Sequence, residues 1–319
     1  MIKLEASIPS QEEIDQSNRF LTYLYYIRNL ARQIDTNLFL ISITKSNSFN
    51  SIIGGKCKDY DYLGRLFRNA WYTEIQMLLP KRNNELVPYA NHWIPVQGYY
   101  AIYILVRAYF FCSGQDISHE HATNLKCISH EIQKRPDLFP CPWNVLCDGD
   151  PNIKIPNLIN IPEEVSITHI SNLKPNSNFW DSYALLLKTT RQRQIETKFD
   201  DWRTSNKRVR IPPQIKSKLC NDLPPTSLFN FFYRLRLRSN YIDADSFLIG
   251  SLNDNKSNDF YNSLCILVWN TLLVIEVLIT RYIGKKEYSN IVLSFTKHDD
   301  LKMCKDTVIK RWELFKDLW

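Results

Sequence analysis

From Leu264 to Ile283 the chain is almost continuously apolar, interrupted by Asn270, Glu276 and Arg281. A run of this length exceeds an ordinary strand and reads as a helix. Its charge-free part stops short of the ~20 residues that span a bilayer, and ionisable side chains inside lipid are costly. The segment is therefore expected to be a buried core helix, with a membrane span as the alternative. Glycine is scarce, at 8 of 319 residues, whereas doubly wound nucleotide folds and β-rich folds consume glycine at their turns. The expected fold class is mainly α. It comprises one or more helical bundles, arranged as two helical lobes joined by a proline-rich irregular segment with minor β structure.

Periodicity and punctuation place the helices. Ser10 and Glu13 have capping-box spacing, and Phe20, Leu24, Ile27 and Ala31 then repeat on one face, which predicts a helix from Gln11 to about Asp35. Asn47 to Lys58 reads as a loop around Gly54-Gly55. A second helix is expected from Tyr60 to Leu79, stopped by Pro80. A third runs from Pro95 to Cys112, with Gly114 just past its end, and a fourth runs from a Ser118 cap to Arg135 before Pro136. Residues 1–135 form the first expected lobe.

Residues 136–178 carry Pro136, Pro140, Pro142, Pro151 and Pro156 and no sustained period, so they are expected to be a linker or small subdomain, with a short strand such as Val165 to Ile170. Residues 179–319 form the second lobe. Its expected helices are Trp180 to Trp202, Ser227 to Tyr241, Asn258 to Ile283 and Asp299 to Leu318, with a break from Thr204 to Pro213.

The eight cysteines are scattered and form no CxxC pair. The segment Met1 to Gln16 is polar and acidic, so the expectation is a cytoplasmic protein with reduced thiols and no membrane association. Cys127 and His130 have CxxH spacing near His119 and His121, but no second tight pair completes a zinc site. No metal and no cofactor are expected. A phosphate-binding loop, a GxGxxG and a GxSxG are all absent.

Charge is distributed unevenly. Between Lys188 and Lys218 ten Lys or Arg face three acids, Glu196, Asp200 and Asp201, so this segment alone carries a net +7, equal to the whole-chain excess. Arg191, Arg193, Lys198, Arg203, Lys207, Arg208 and Arg210 are the candidates to neutralise a phosphate backbone, with Trp180, Phe199 and Trp202 available to stack. The alternative is a solvated helix face. The segment RLRLRSNYIDAD, from Arg234 to Asp245, adds Arg234 and Arg238. On a helix Arg234, Arg238, Tyr241 and Asp245 share a face, which fits either an ion-pair network or an anion site. Its alternation also allows a short strand.

The stretch GYYAIYILVRAYFFCSG from Gly98 to Gly114, followed by Ser118-His119-Glu120-His121, resembles the HEPN superfamily, as does the helical segment around Arg238-Ser239-Asn240-Tyr241. In size and layout the chain is also similar to YaaC-like bacterial proteins. The HEPN resemblance implies a helical protein of prokaryotic RNA processing or antiviral defence. HEPN ribonucleases pair an Arg with a His four to six residues later, and none of the six histidines here has such an Arg. The resemblance therefore implies a catalytically degenerate relative that binds nucleic acid. The rival expectation is an active metal-independent ribonuclease using Arg238, Asn240, Asp243 and Asp245. A third is a helical interaction scaffold with a protein partner or as a homodimer.

Overall fold

The computed structural model describes residues 10–55, 57–115, 118–152, 157–161, 165–166, 169–249, 254–297 and 302–319. It is 76% helical, which makes the fold mainly α. The main helices are α1 (Gln11–Gln33), α2 (Thr36–Lys45), α3 (Tyr60–Leu78), α4 (Ile94–Cys112), α5 (His121–Lys134), α6 (Phe179–Asn206), α7 (Pro213–Asn221), α8 (Leu228–Leu237), α9 (Asp254–Ile283) and α10 (Lys285–Thr296). A last helical stretch runs through Lys302–Cys304, Lys305–Ile309 and Lys310–Phe315, with a π-turn in its middle section.

The apolar run becomes the axis of the fold. Helix α9 is long and apolar enough to cross a membrane, and 83% of its most apolar window is buried inside the protein. Leu267, Val268, Leu272, Leu273, Val274, Val277, Leu278 and Ile279 are all fully enclosed. Helices α1 and α4 pack against it, and α3 packs on α4. The approach of α4 is close. A β-carbon at Gly98 would sit 2.8 Å from a Val268 methyl and 3.3 Å from the Met77 sulfur, so this position accepts no side chain. The expected lobes 1–135 and 179–319 share this core, which runs without interruption from Phe20 to Phe315.

The proline-rich stretch is anchored rather than loose in its first half. Leu138, Phe139, Trp143, Val145 and Leu146 are buried in the same core, and the Trp143 indole N–H donates to Thr271 Oγ1 of α9 at 3.0 Å. Its β structure is a two-stranded antiparallel ribbon, β1 (Leu146–Asp148) with β2 (Asn157–Ile159). Cys147 also pairs with Thr226 just before α8. The strand expected from Val165 to Ile170 falls partly outside the described residues, at 167 and 168; Val165 and Ser166 carry no strand, and Ile170–Asn172 is a 3-10 turn.

Other local expectations are corrected by their surroundings. The segment RLRLR is helical, not stranded, because Leu235 enters the core on the α8 side. Helix α5 begins at His121 rather than at Ser118, whose hydroxyl accepts from the Glu120 N–H at 3.1 Å. The break after Thr204 is shorter than expected, because α6 continues to Asn206 and α7 starts at Pro213. The expected Asp299 start of the last helix lies outside the described residues.

One ionic cluster sits inside the core. Arg311 donates to Glu74 Oε1 and Oε2 at 2.5 and 2.9 Å and to Glu276 Oε2 and Oε1 at 2.9 Å each. Trp71 Nε1 and the Tyr288 hydroxyl donate to the two Glu276 oxygens at 2.7 and 2.8 Å. All three charged side chains are fully buried. Burial pushes the Glu74 carboxyl up, with the Arg311 guanidinium opposing.

Removing one member of such a cluster strands the others, at a cost of about 3–5 kcal/mol. Arg311→Leu should lower stability by that amount in chemical denaturation. The sign of its pH dependence follows from the raised carboxyl. Glu74 takes its proton more readily when folded than when unfolded, so its burial is harmless below its ordinary value of 4.5 and costs more as pH rises through it. Arg311 is the group that holds this carboxyl down, so without it the deficit of the variant should grow as pH rises above 4.5. A constant deficit would contradict this account.

Candidate anion-binding pocket

Three helices present polar faces to one another around a cavity of about 530 Å³. From α6 come Thr190, Arg193, Gln194, Thr197, Lys198 and Asp201, at alternating spacings of three and one, which is a single helical face. From α8 and the turn after it come Asn230, Tyr233, Arg234, Leu237 and Arg238 with the same spacing. Helix α5 supplies Ala122, Leu125 and Lys126, and the loop before α8 supplies Leu223 and Pro224. The α8 face continues into a π-turn at Arg238–Ile242, which re-aims the end of the helix.

The charge of this lining is one-sided. Lys126, Arg193, Lys198, Arg234 and Arg238 face it, against the single carboxylate of Asp201. Some of that charge is answered nearby. Arg193 pairs with Glu196 at 3.3 Å on an exposed surface, where such a pair contributes little. Arg238 pairs with Asp243 at 3.0 Å, and Arg19 approaches the same carboxylate at 3.6 Å. Arg234 donates to Thr189 and Thr190 hydroxyls at 2.7 and 3.1 Å, while its enclosed Nε has no partner among the described residues. Lys126 and Lys198 are exposed and have no ion-pair partner among the described residues.

Of the nine basic residues singled out by the sequence, four converge here: Arg193, Lys198, Arg234 and Arg238. Four others form the tip of α6 and the following loop. Arg203 pairs with Asp200 at 2.6 Å, and Lys207, Arg208 and Arg210 are exposed, with Lys207 closing the helix in a left-handed conformation.

Arg191 does something else. Its side chain is fully buried. It donates to the carbonyls of Gly149, Pro224 and Cys220 at 2.6, 2.9 and 3.0 Å and to Asp148 Oδ1 at 3.1 Å. Burial pulls this guanidinium below its ordinary value, with Asp148 opposing. Arg191 thus clasps the ribbon and the pre-α8 loop to α6 and is not placed to meet a phosphate. Among the aromatic candidates, Trp180 lies in the core and Phe199 packs on a small satellite core of Ile195, Cys220 and Leu223.

In the alternative catalytic set, Arg238 and Asp243 form an ion pair. Asp243 is buried in its pairing with Arg238, Asn240 lies within the π-turn, and Asp245 is exposed on the next short helix. The partner of Arg238 is Asp243, not the Asp245 that helical spacing suggested.

A cluster missed by sequence reasoning adjoins the pocket through Tyr233. It gathers Tyr99, Tyr100 and Tyr103 of α4, His121 of α5, and Tyr233 and Arg236 of α8. The Arg236 guanidinium lies 5.0–5.7 Å from the ring centres of Tyr99, Tyr100 and Tyr233 and donates to the Tyr100 hydroxyl at 2.9 Å. His121 Nδ1 is 2.7 Å from the Tyr99 hydroxyl, and its Nε2 has no partner among the described residues. Desolvation, followed by the nearby Arg236, lowers the His121 pKa. Tyr99, Tyr100, Tyr103 and His121 lie in the aromatic stretch and the His-containing helix start read from the sequence, but Tyr233 and Arg236 join them from α8, far along the chain, so no local motif announces the set. Among the described residues, no three His, Cys, Asp or Glu side chains converge to hold a metal ion, and all eight cysteines are free thiols.

Comparison with protein-family models, with curated proteins and with solved structures returned no match.

The contrast between neighbouring arginines is testable. Arg191→Met should lower stability by at least about 3 kcal/mol, because it leaves several buried carbonyls without donors. Arg193→Met, on the exposed side of the same helix, should stay within about 0.5 kcal/mol of the parent. Thermal denaturation of the two variants decides the matter.

Proposed function

We propose that the protein binds nucleic acid through the α5–α6–α8 pocket and the basic tip of α6. The observation that carries this reading is the one-sided lining: five cations and one carboxylate around one cavity. Like charges brought together at a cost in self-repulsion favour an anionic ligand nearby. Lys207, Arg208 and Arg210 extend the cationic surface beyond the pocket, as a polymeric backbone with many phosphates requires. The likeness of two helical segments to HEPN proteins adds the setting, a prokaryotic nucleic-acid-processing or antiviral complex in the cytoplasm, with the chain catalytically degenerate.

Charge reversal at Arg203, Lys207, Arg208 and Arg210 should leave folding intact and weaken binding. Lys126→Glu with Lys198→Glu should do the same from inside the pocket. In salt titrations each phosphate contact contributes a slope of about −0.7 for single strands and about −0.9 for duplex DNA, so both variants should show shallower slopes than the parent. Absence of binding to any RNA or DNA at low salt would end this reading.

A second reading, metal-independent RNA cleavage, has one observation in its favour. The structure brings together a His and an Arg that the sequence keeps apart: His121, with an unpartnered Nε2, beside Arg236. A histidine with a lowered pKa is neutral at neutral pH and suited to take a proton from a ribose hydroxyl. On this reading labelled RNA is cut in the presence of a chelator, and His121→Ala brings cutting down to background. Intact RNA after prolonged incubation with the parent protein leaves binding as the function.

A further inference from the structure

Two carboxamides in the pocket have their oxygens engaged by donors, Asn230 by a backbone N–H and Gln194 by a hydroxyl. Asn230 is 6% exposed. Its Oδ1 accepts from the Ser227 backbone N–H at 2.8 Å, and the Ser227 and Ser129 hydroxyls lie at 2.9 and 3.3 Å. A backbone N–H only donates, so the oxygen must face Ser227 and the amide NH₂ must face away. Gln194 Oε1 accepts from the Thr226 hydroxyl at 2.7 Å, and Arg191 Nη1, a cationic donor, approaches the same hydroxyl at 3.5 Å. With that hydroxyl donating to Gln194 Oε1, the Gln194 NH₂ is also left over. Neither NH₂ has a partner among the described residues, and both residues line the pocket.

The pocket thus offers oriented neutral donors in addition to its cations. It also has an apolar side. Ala122, Leu125, Leu223 and Leu237 line it, and Tyr233 is the one aromatic ring in the lining. That ring is backed by Tyr99 and His121, with ring centres 5.5 and 5.7 Å away. A flat group with carbonyl oxygens on its edge, attached to a phosphate, matches this set of surfaces. A duplex holds its bases paired inside the stack and cannot place one in a recess among three helices.

We propose that the pocket receives one unpaired nucleotide of a single strand, and that it prefers uracil or thymine to adenine. The inference rests on the nucleic-acid reading above. The base lies against Tyr233, its carbonyl oxygens accept from the Asn230 and Gln194 amides, and its phosphates meet Lys126, Lys198 and Arg193. Uracil and thymine each carry two carbonyl oxygens, and adenine carries none and presents an amino donor instead. Stacking on a ring alone is tolerant of sequence, so a preference of this kind has to come from the amides.

The test uses the full chain with fluorescent oligo(U), oligo(A), oligo(dT) and oligo(dA) of equal length, measured by anisotropy at low salt. Oligo(U) and oligo(dT) should bind about 3- to 10-fold more tightly than their adenine counterparts, the scale of one or two hydrogen bonds. Asn230→Asp keeps the acceptor that Ser227 requires and replaces the NH₂ with a second acceptor. Its added charge weakens all four ligands alike, so the readout is the ratio between bases, which should collapse towards one. Gln194→Glu should lower the same ratio and serves if the first variant does not fold. Equal binding of the four oligomers, tighter binding of adenine, or a ratio unchanged in both variants would overturn this proposal and leave nucleic-acid binding standing. If no oligomer binds, the nucleic-acid reading falls, and this one falls with it.

Discussion

The buried Arg311 guanidinium, held between Glu74 and Glu276, ties together elements from both ends of the chain. Glu74 is on α3, Glu276 on α9, and Arg311 in the last helical stretch. No member of this cluster can be buried alone without an uncompensated charge. Docking of the C-terminal helix and the placing of α3 beside α9 are therefore energetically coupled. The indole of Trp71 and the hydroxyl of Tyr288 occupy acceptor positions on Glu276. The same polar cluster explains why the apolar run contains a glutamate at all. Glu276 reads as a defect in the sequence of a core helix, and in the fold it is the point at which the helix is fixed in register.

Arg191 plays a comparable part at the edge of the pocket. By capturing carbonyls from the β ribbon and from the loop before α8, it sets where α8 starts relative to α6. That spacing decides whether Arg234 and Arg193 face one cavity or diverge. Arg191 Nη1 also approaches the Thr226 hydroxyl, which donates to Gln194. A structural cation thus shapes a site that other cations line.

Much of the architecture was legible because its signals are local. Capping at Ser10, the stop at Pro80, the turn at Gly114 and the apolar run of α9 all depend on near neighbours in the chain. Helix α2 gives a weaker signal because it exposes Leu38 and Ile41 alongside buried Phe39 and Leu40, which blurs its period. Helices α7 and α10 are short and only lightly buried, and β1 and β2 are three residues each. The basic segment was visible as composition. Its division into Arg191, a buried clasp, and Arg193, an exposed cation, was not, because two arginines two residues apart look alike until the helix is docked. Lys126, Asn230 and Tyr233 are unremarkable in sequence and enter the site only through the meeting of α5, α6 and α8.

Helix α6 is fastened unevenly along its length. From Trp180 to Arg191 it is embedded in the main core, and beyond that point its own Ile195 and Phe199 rest on Cys220 and Leu223, with Gln194 held by the Thr226 hydroxyl. Mechanically its outer half is a cantilever, clamped at Arg191 and propped by α7. A beam of this kind bends at its free end without disturbing its root, and segments with few buried contacts open at a low local free energy. The cations along the outer half can therefore shift to follow an uneven ligand surface while the main core stays at full stability. Hydrogen exchange would register this as a gradient of protection falling outward along a single helix.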